Sequence, residues 1–537
     1  MLDKTYSANI QKAFKTIDWK LLLFLVLFLN VKLVVKLAAI VLIYLLQFNF
    51  RFGFRKRDSR LPLFYLIAIG IGVFNWIILA GFTNVNYTLA FITGICFWLL
   101  SILAMHQLKL SVEKNEPAII HQTILVFFLI NAIVSLSVYL IIVLKTGAIN
   151  PYLYQGEYQK YFIGTGDYIK GISFDTSTTN AVLNAFGIIY FLSRKNGVMV
   201  ILCMIILLLT GSNLTNLLLG AVLLLMFFFQ SDRDQKSLVT ICFMLLVIFL
   251  AKVSPQNNKY VANNLGKIFT TQNEKPVSYT SLLPIEQRPD SSLTVEERKE
   301  KLAILYVDSL YRLRIEKQKK IIPHTAMLLS IPVPDINTPP YQHQSVETPV
   351  EKKMRQFINR HSSELPISSD TDYNSKLPGK IIAWKQTLNY FKQKPLKIIT
   401  GTGIGNFSSK LAFKTTGLNI AGGYPQKFTY KNDAFVTNHL DLYLHYFTKK
   451  DDVHSIINYP GAVYDQLISE YGLLGISAFF IFYLGFFAKS YKKLTYGIPL
   501  VFLLLGIFFA DYWFEQLSVV VFFELLLFLN IKEEAKK

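Results

Sequence analysis

The 537-residue chain is 52% hydrophobic and only 17% charged, whereas soluble domains carry about 25% charged residues. This excludes a disordered chain and argues against an ordinary water-soluble one. The few charges are lopsided, with 55 Lys and Arg against 35 Asp and Glu, a net of +20.

From the N-terminus, the first apolar run is Leu21–Phe48, interrupted at Asn30-Val31-Lys32. It is too long for a cleavable leader and has no small-residue cleavage site after it. The runs Leu61–Ala80, Tyr87–Ala104, Ala118–Leu144 and Thr178–Leu192 follow. Val198–Phe229 is broken at Thr210-Gly211-Ser212-Asn213, and Ser237–Val253 closes this part of the chain. A bilayer-spanning helix needs about 20 apolar residues, so each broken run reads as one long span or two short ones. Short cytoplasmic loops are enriched in Lys and Arg. Lys12, Lys15 and Lys20 precede the first broken run and Arg51, Arg55, Lys56, Arg57 and Arg60 follow it. Arg194-Lys195 and Arg233/Lys236 flank the second. Both runs therefore read as hairpins, which predicts about twelve spans with both termini inside. Because the legs of the first hairpin are short, an eleven-span alternative with an external N-terminus stays open.

Cys96, Cys203 and Cys242 all lie in apolar runs and read as small buried hydrophobes. They exclude a disulfide framework or a Cys-based metal site.

Between Ser254 and Val463 the hydropathy collapses, and the parity places this segment outside the cytoplasm. It holds 28 Lys and Arg against 18 Asp and Glu, hence +10, half of the excess charge. Val295–Lys320 and Leu377–Tyr390 have the spacing of amphipathic helices, with Pro332–Pro349 irregular between them. The division is thus 1–253, an N-terminal bundle of about nine spans; 254–463, a large external loop; and 464–537, about three further spans (Tyr471–Ala488, Leu494–Ala510, Leu517–Leu529).

A basic, aromatic-rich surface beside a membrane suits an anionic partner. Nucleic acid is a poor fit on the external face; lipid headgroups and lipid-linked phosphates fit better. Gly401-Thr402-Gly403-Ile404-Gly405 lacks the strand and helix of a dinucleotide loop. Asp370-Thr371-Asp372 reads as a solvated turn before it reads as a metal site, and no cluster has zinc spacing.

Two stretches, one in the loop and one following it, carry a resemblance. One is Gly379-Lys380-Ile381-Ile382-Ala383-Trp384-Lys385, then Pro395, then Gly401–Phe407. The other is Tyr464-Asp465-Gln466-Leu467-Ile468-Ser469-Glu470-Tyr471-Gly472-Leu473-Leu474-Gly475. The first resembles the external loop of the O-antigen ligase / O-antigen polymerase membrane-protein family, and the second is similar to that family's aromatic, Gln, Glu and Gly-Leu-Leu-Gly run entering the next span. Gly171–Ala181, with Asp175, Ser177 and Asn180, is a weaker match. The likeness covers nearly the whole chain in layout and a small fraction of it in residues. It implies an all-α polytopic membrane protein, GT-C-like, with one large, mainly helical extracytoplasmic loop in the bacterial inner membrane. It also implies transfer or polymerisation of a polyprenyl-diphosphate-linked glycan onto another glycan or lipid A core, without metal, nucleotide sugar or other cofactor. The chain departs from the family pattern in three places. Lys380 stands where the family has Arg. Asn213 follows Ser212 in place of Arg. Gly461 occupies the place of the family's His, with His454 the nearest upstream.

Glycosyl transfer from a diphosphate needs a base near the acceptor hydroxyl and positive charge on the leaving group. His454 or Glu470 is the expected base, with His439 and His445 as rivals. Lys380, with Lys385 or Lys170, is expected to hold the diphosphate, and Trp384, Tyr464 and Gln466 to line the site. Each also has a structural reading: a solvated lysine, a helix-capping carboxylate, an interfacial tyrosine. Departures from the ligase pattern favour a polymerase. A lipid-linked glycan transporter is the alternative of another class; against it stand the lack of internal repeats and the scarcity of charge within the spans, where Glu524 is the one carboxylate well inside.

Overall fold

The computed structural model describes residues 16–49, 61–155, 163–255, 378–417, 423–446 and 456–536. They are helical, and no strand occurs among them. Four of the helices are long and apolar enough to cross a membrane: α4 (Val85–Lys114), α5 (Pro117–Thr146), α9 (Arg233–Val253) and α14 (Val463–Ala488). Ile133 and Leu144 on α5, Val247 on α9 and Ile481 on α14 face outward and are exposed. Such apolar outer faces are those of a helical membrane protein and not of a soluble bundle.

The two broken runs fold back on themselves. α1 (Trp19–Phe28) starts at Asp18, whose carboxylate accepts from the Lys20 and Leu21 amides. α2 (Leu33–Leu46) returns alongside it, and Lys20 Nζ donates to Leu46 O at 2.9 Å, so the start of one leg meets the end of the other. α7 (Gly197–Leu209) and α8 (Asn213–Phe229) turn at Gly211, which holds φ +65°. Lys195 before α7 pairs with Asp232 after α8, which brings the two ends of this hairpin together.

α3 (Phe64–Ile78), α6 (Ser177–Ser193) and α15 (Gly497–Ile507) complete the wall around α16 (Ser518–Lys536). α16 is the axis of the bundle: every residue from 518 to 530 is buried, and it packs on α4, α6 and α15. Its Glu524 accepts from the Tyr65 and Tyr483 hydroxyls, the latter at 3.0 Å. Tyr483 reaches it from a π-helical stretch of α14, Phe479–Leu484.

Part of the segment between α9 and α14 sits on this bundle. α10 (Gly379–Gln393) begins after Pro378, two residues later than the spacing predicts, and runs three residues further. α11 (Lys410–Thr415), α12 (Asp433–Asn438) and α13 (Leu440–Tyr446) follow. The helices expected over 295–320, the proline-rich 332–349 and Asp370-Thr371-Asp372 lie outside the described residues.

Candidate functional site

The Gly-rich stretch between α10 and α11 is a tightly seated loop. Gly401, Gly403 and Gly405 all adopt positive φ (81°, 93° and 73°), a conformation that costs little only for glycine. Ile404 is the plug. Its side chain fills the space a Cβ would need at Gly72 of α3 and Gly94 of α4 (2.5 and 2.2 Å). Asn75 Nδ2 holds Thr400 O at 2.6 Å, and Asn406 Nδ2 donates to Tyr87 OH at 2.9 Å.

On its other side the loop lies along α14. Thr402 N donates to Ser469 O and Gly403 N to Glu470 O, both at 2.9 Å. The Glu470 carboxylate then turns back, and its Oε1 accepts from Asn406 N (3.0 Å) and Phe407 N (3.2 Å). Sequence reasoning places Glu470 at a membrane edge; it stands two turns into α14 and is buried. Immediately after Tyr471 the helix kinks at Gly472 (φ 66°, ψ −164°). Just before the kink, Tyr471 OH accepts from Trp98 Nε1 at 2.7 Å.

A small cavity opens between α4, the loop and the turn before α16. Trp98, Leu411, Gln466, Glu470, Phe514 and Glu515 are among its walls. Glu515 lies in the short turn Trp513–Gln516 and is mostly buried. Its Oε2 accepts from Leu411 N at 2.9 Å and its Oε1 from Gln466 Nε2 at 2.6 Å. Gln466 is 3% exposed, and its Oε1 has no hydrogen-bond partner among the described residues. Burial and the neighbouring Glu470 push the Glu515 carboxyl up to about 8, against the pull of Lys410, Lys414 and the Leu411 amide.

Lys410 and Lys414 sit one turn apart on α11, both mostly buried. Burial works against the charge on Lys410, but Asp511, Asp175 and Glu515 outweigh it and hold the ammonium above the ordinary lysine value. Burial and Lys410 lower Lys414, opposed by Glu515, Asp175 and Asp511. Neither ammonium makes an ion pair within 4.0 Å among the described residues. Like charges at i,i+4 cost a helix about 0.2–0.5 kcal/mol, so helix stability does not account for the pair.

No family model, curated protein or solved structure matches this chain.

Glu470 and Gln466 line the cavity. Tyr464, two residues before Gln466, points the other way: its hydroxyl donates to Leu505 O at 2.9 Å and its ring packs on Phe509. Lys380 is half-buried at the start of α10, with Nζ donating to the carbonyls of Gly461 and Ala510 (3.1 Å to the latter). Burial lowers it to about 7, against Asp511 and Asp465. Its ammonium pins α10 to the turns at 461 and 510. Trp384 is half-buried against the bundle and Lys385 is exposed on α10. Lys170 is exposed just before the turn Gly171–Ser173. His454 lies outside the described residues.

His439 and His445, the rival bases, do not share one helix. His439 ends α12 with φ −142°, and His445 belongs to α13. His439 is wholly buried, its ring against Phe407 (5.2 Å between centroids), and Nδ1 meets Gln386 Oε1 at 3.1 Å. Burial lowers its pKa to about 3, so it stays neutral from pH 5 to 8. His439→Ala should therefore cost about 3 kcal/mol of stability by emptying a core site. The melting temperature of the detergent-solubilised protein measures this, and the pH dependence of activity should not change.

Glu515, Lys410 and Lys414 escape sequence reasoning. The available signals were an i,i+4 lysine pair and the acids Asp511 and Glu515 in a six-residue link between apolar runs.

Proposed function

We propose that the chain is a membrane glycosyltransferase of the O-antigen polymerase type. On this reading it has about twelve spans. The loop 254–463 lies on the outer face of the bacterial inner membrane. The donor is a polyprenyl-diphosphate-linked glycan and the acceptor is another glycan; transfer to lipid A core, the ligase reaction, is the alternative. The observation that supports this best is the pair Lys410 and Lys414, two mostly buried ammonium groups with no ion pair among the described residues, beside a carboxylate-lined cavity. A diphosphate would accept contacts from both ammonium groups, and such charge-assisted contacts strengthen as the leaving group gains charge. Glu470, with both loop amides on one oxygen, fixes the loop that carries α11.

The test is Lys410→Ala with Lys414→Ala in cells lacking the native protein, read as the surface glycan ladder. A loss of polymer of about a hundredfold or more is expected, in line with two charge-assisted contacts of roughly 1.5–3 kcal/mol each. A normal ladder at matched protein levels rejects the assignment. The null strain separates the two reactions: single repeat units on the surface mark a polymerase, and free lipid-linked polymer marks a ligase.

A further inference from the structure

Glu470 and Glu515 face one cavity but are used differently. Glu470 spends Oε1 on two main-chain amides of the Gly loop and so holds the backbone together. Glu515 instead shares its oxygens between one amide, Leu411 N, and one side chain, Gln466 Nε2. That side chain has a second end. Gln466 Oε1 is buried at the cavity wall with nothing donating to it among the described residues. A buried carbonyl oxygen without a donor costs about 1–3 kcal/mol. A hydroxyl entering the cavity repairs this by donating its proton there or to the adjacent Glu515 carboxylate.

We infer that this cavity binds the attacking hydroxyl of the acceptor, with Glu515 as the group that takes its proton and Gln466 as the positioning residue. The inference rests on the glycosyltransferase reading above. In the step, the acceptor O–H bond breaks and its proton moves to Glu515. The acceptor oxygen forms a bond to the anomeric carbon, and the bond from that carbon to the diphosphate oxygen breaks. The electron pair leaves with the diphosphate, beside Lys410 and Lys414.

Charged groups facing Glu515 come from each neighbouring element: Glu470 from α14, and Lys410 and Lys414 from α11. The phenols of Tyr471, Tyr512, Tyr443, Tyr459 and Tyr424 surround them. The balance holds the carboxyl near 8, close to the working range of a general base. Its basic form accumulates as pH rises, so the rate should climb from pH 6 and level off above about 8.

The experiment uses the full chain in lipid nanodiscs with a polyprenyl-diphosphate-linked oligosaccharide as donor and a free oligosaccharide as acceptor. Glu515→Gln keeps an oxygen for Leu411 N but cannot take a proton. Its kcat should fall about a hundredfold or more and lose the rise with pH, while donor still binds. Gln466→Ala should raise KM for the acceptor more than it lowers kcat. Glu515→Gln that turns over at the wild-type rate with the wild-type pH profile overturns the inference and leaves the proposed function standing. A wild-type protein that consumes no diphosphate-linked donor removes both. Where Glu515→Gln does not assemble, Glu515→Asp decides: a displaced pH midpoint supports the role, and an unchanged one overturns it.

Discussion

Gly472→Ala is expected to abolish the folded state or lower its stability by about 3 kcal/mol or more. With φ 66° and ψ −164°, this residue occupies a region that side chains leave almost entirely to glycine. That strain alone is of order 1–3 kcal/mol. A Cβ there would also sit 2.3 Å from Ile399 O and 2.6 Å from Gly401 N. Both are backbone atoms, so no side-chain rotation relieves the clash. Relief requires parting the Gly loop from α14, which undoes the hydrogen bonds at Thr402 and Gly403. Gly70→Ala is the matching control. Gly70 lies on α3 with nothing within 4 Å of its would-be Cβ, and glycine costs an exposed helix about 0.8–1.0 kcal/mol relative to alanine. Heating the detergent-solubilised proteins and following the monodisperse fraction should show Gly70→Ala at or above wild type and Gly472→Ala far below it. Equal melting curves would mean that the kink is dispensable.

The contrast shows which features the sequence exposes. The helical hairpins were legible because charge marks their ends. Lys20 and Lys195 sit at the feet of the two folded runs, and their bonds to Leu46 O and Asp232 close them. The Gly loop and the Tyr464–Gly475 run were legible as motifs, but their mutual fit was not. A glycine in a string of letters does not say whether its φ is positive or what backbone lies 2.3 Å away. Lysines were harder still. Composition treats Lys380 and Lys410 alike, yet one is spent on two carbonyls and the other stands beside a cavity. Six histidines fall between 254 and 463, and spacing could not rank them; burial removes His439 from the acid–base candidates. Glu515 was hidden by brevity, because a six-residue link between apolar runs reads as a connector until folding brings it against α14.

Glu470→Ala and Glu470→Gln should part company, and the gap between them separates a holding role from a chemical one. Alanine leaves Asn406 N and Phe407 N buried without an acceptor, at about 1–3 kcal/mol for each, besides emptying part of a core. The Gly loop would detach, α11 would lose its place, and transfer would fall to background. Glutamine retains a carbonyl oxygen able to accept from both amides, so the fold and most of the turnover should survive. The pH profile should nevertheless move. Glu470 helps push Glu515 upward, so removing that charge lets Glu515 ionise sooner, and the midpoint of the rate should shift below about 8. A folded Glu470→Gln protein as inactive as the alanine variant would place the proton transfer on Glu470 itself. A folded, active protein with an unmoved midpoint would show that the two carboxylates do not sense each other across the cavity.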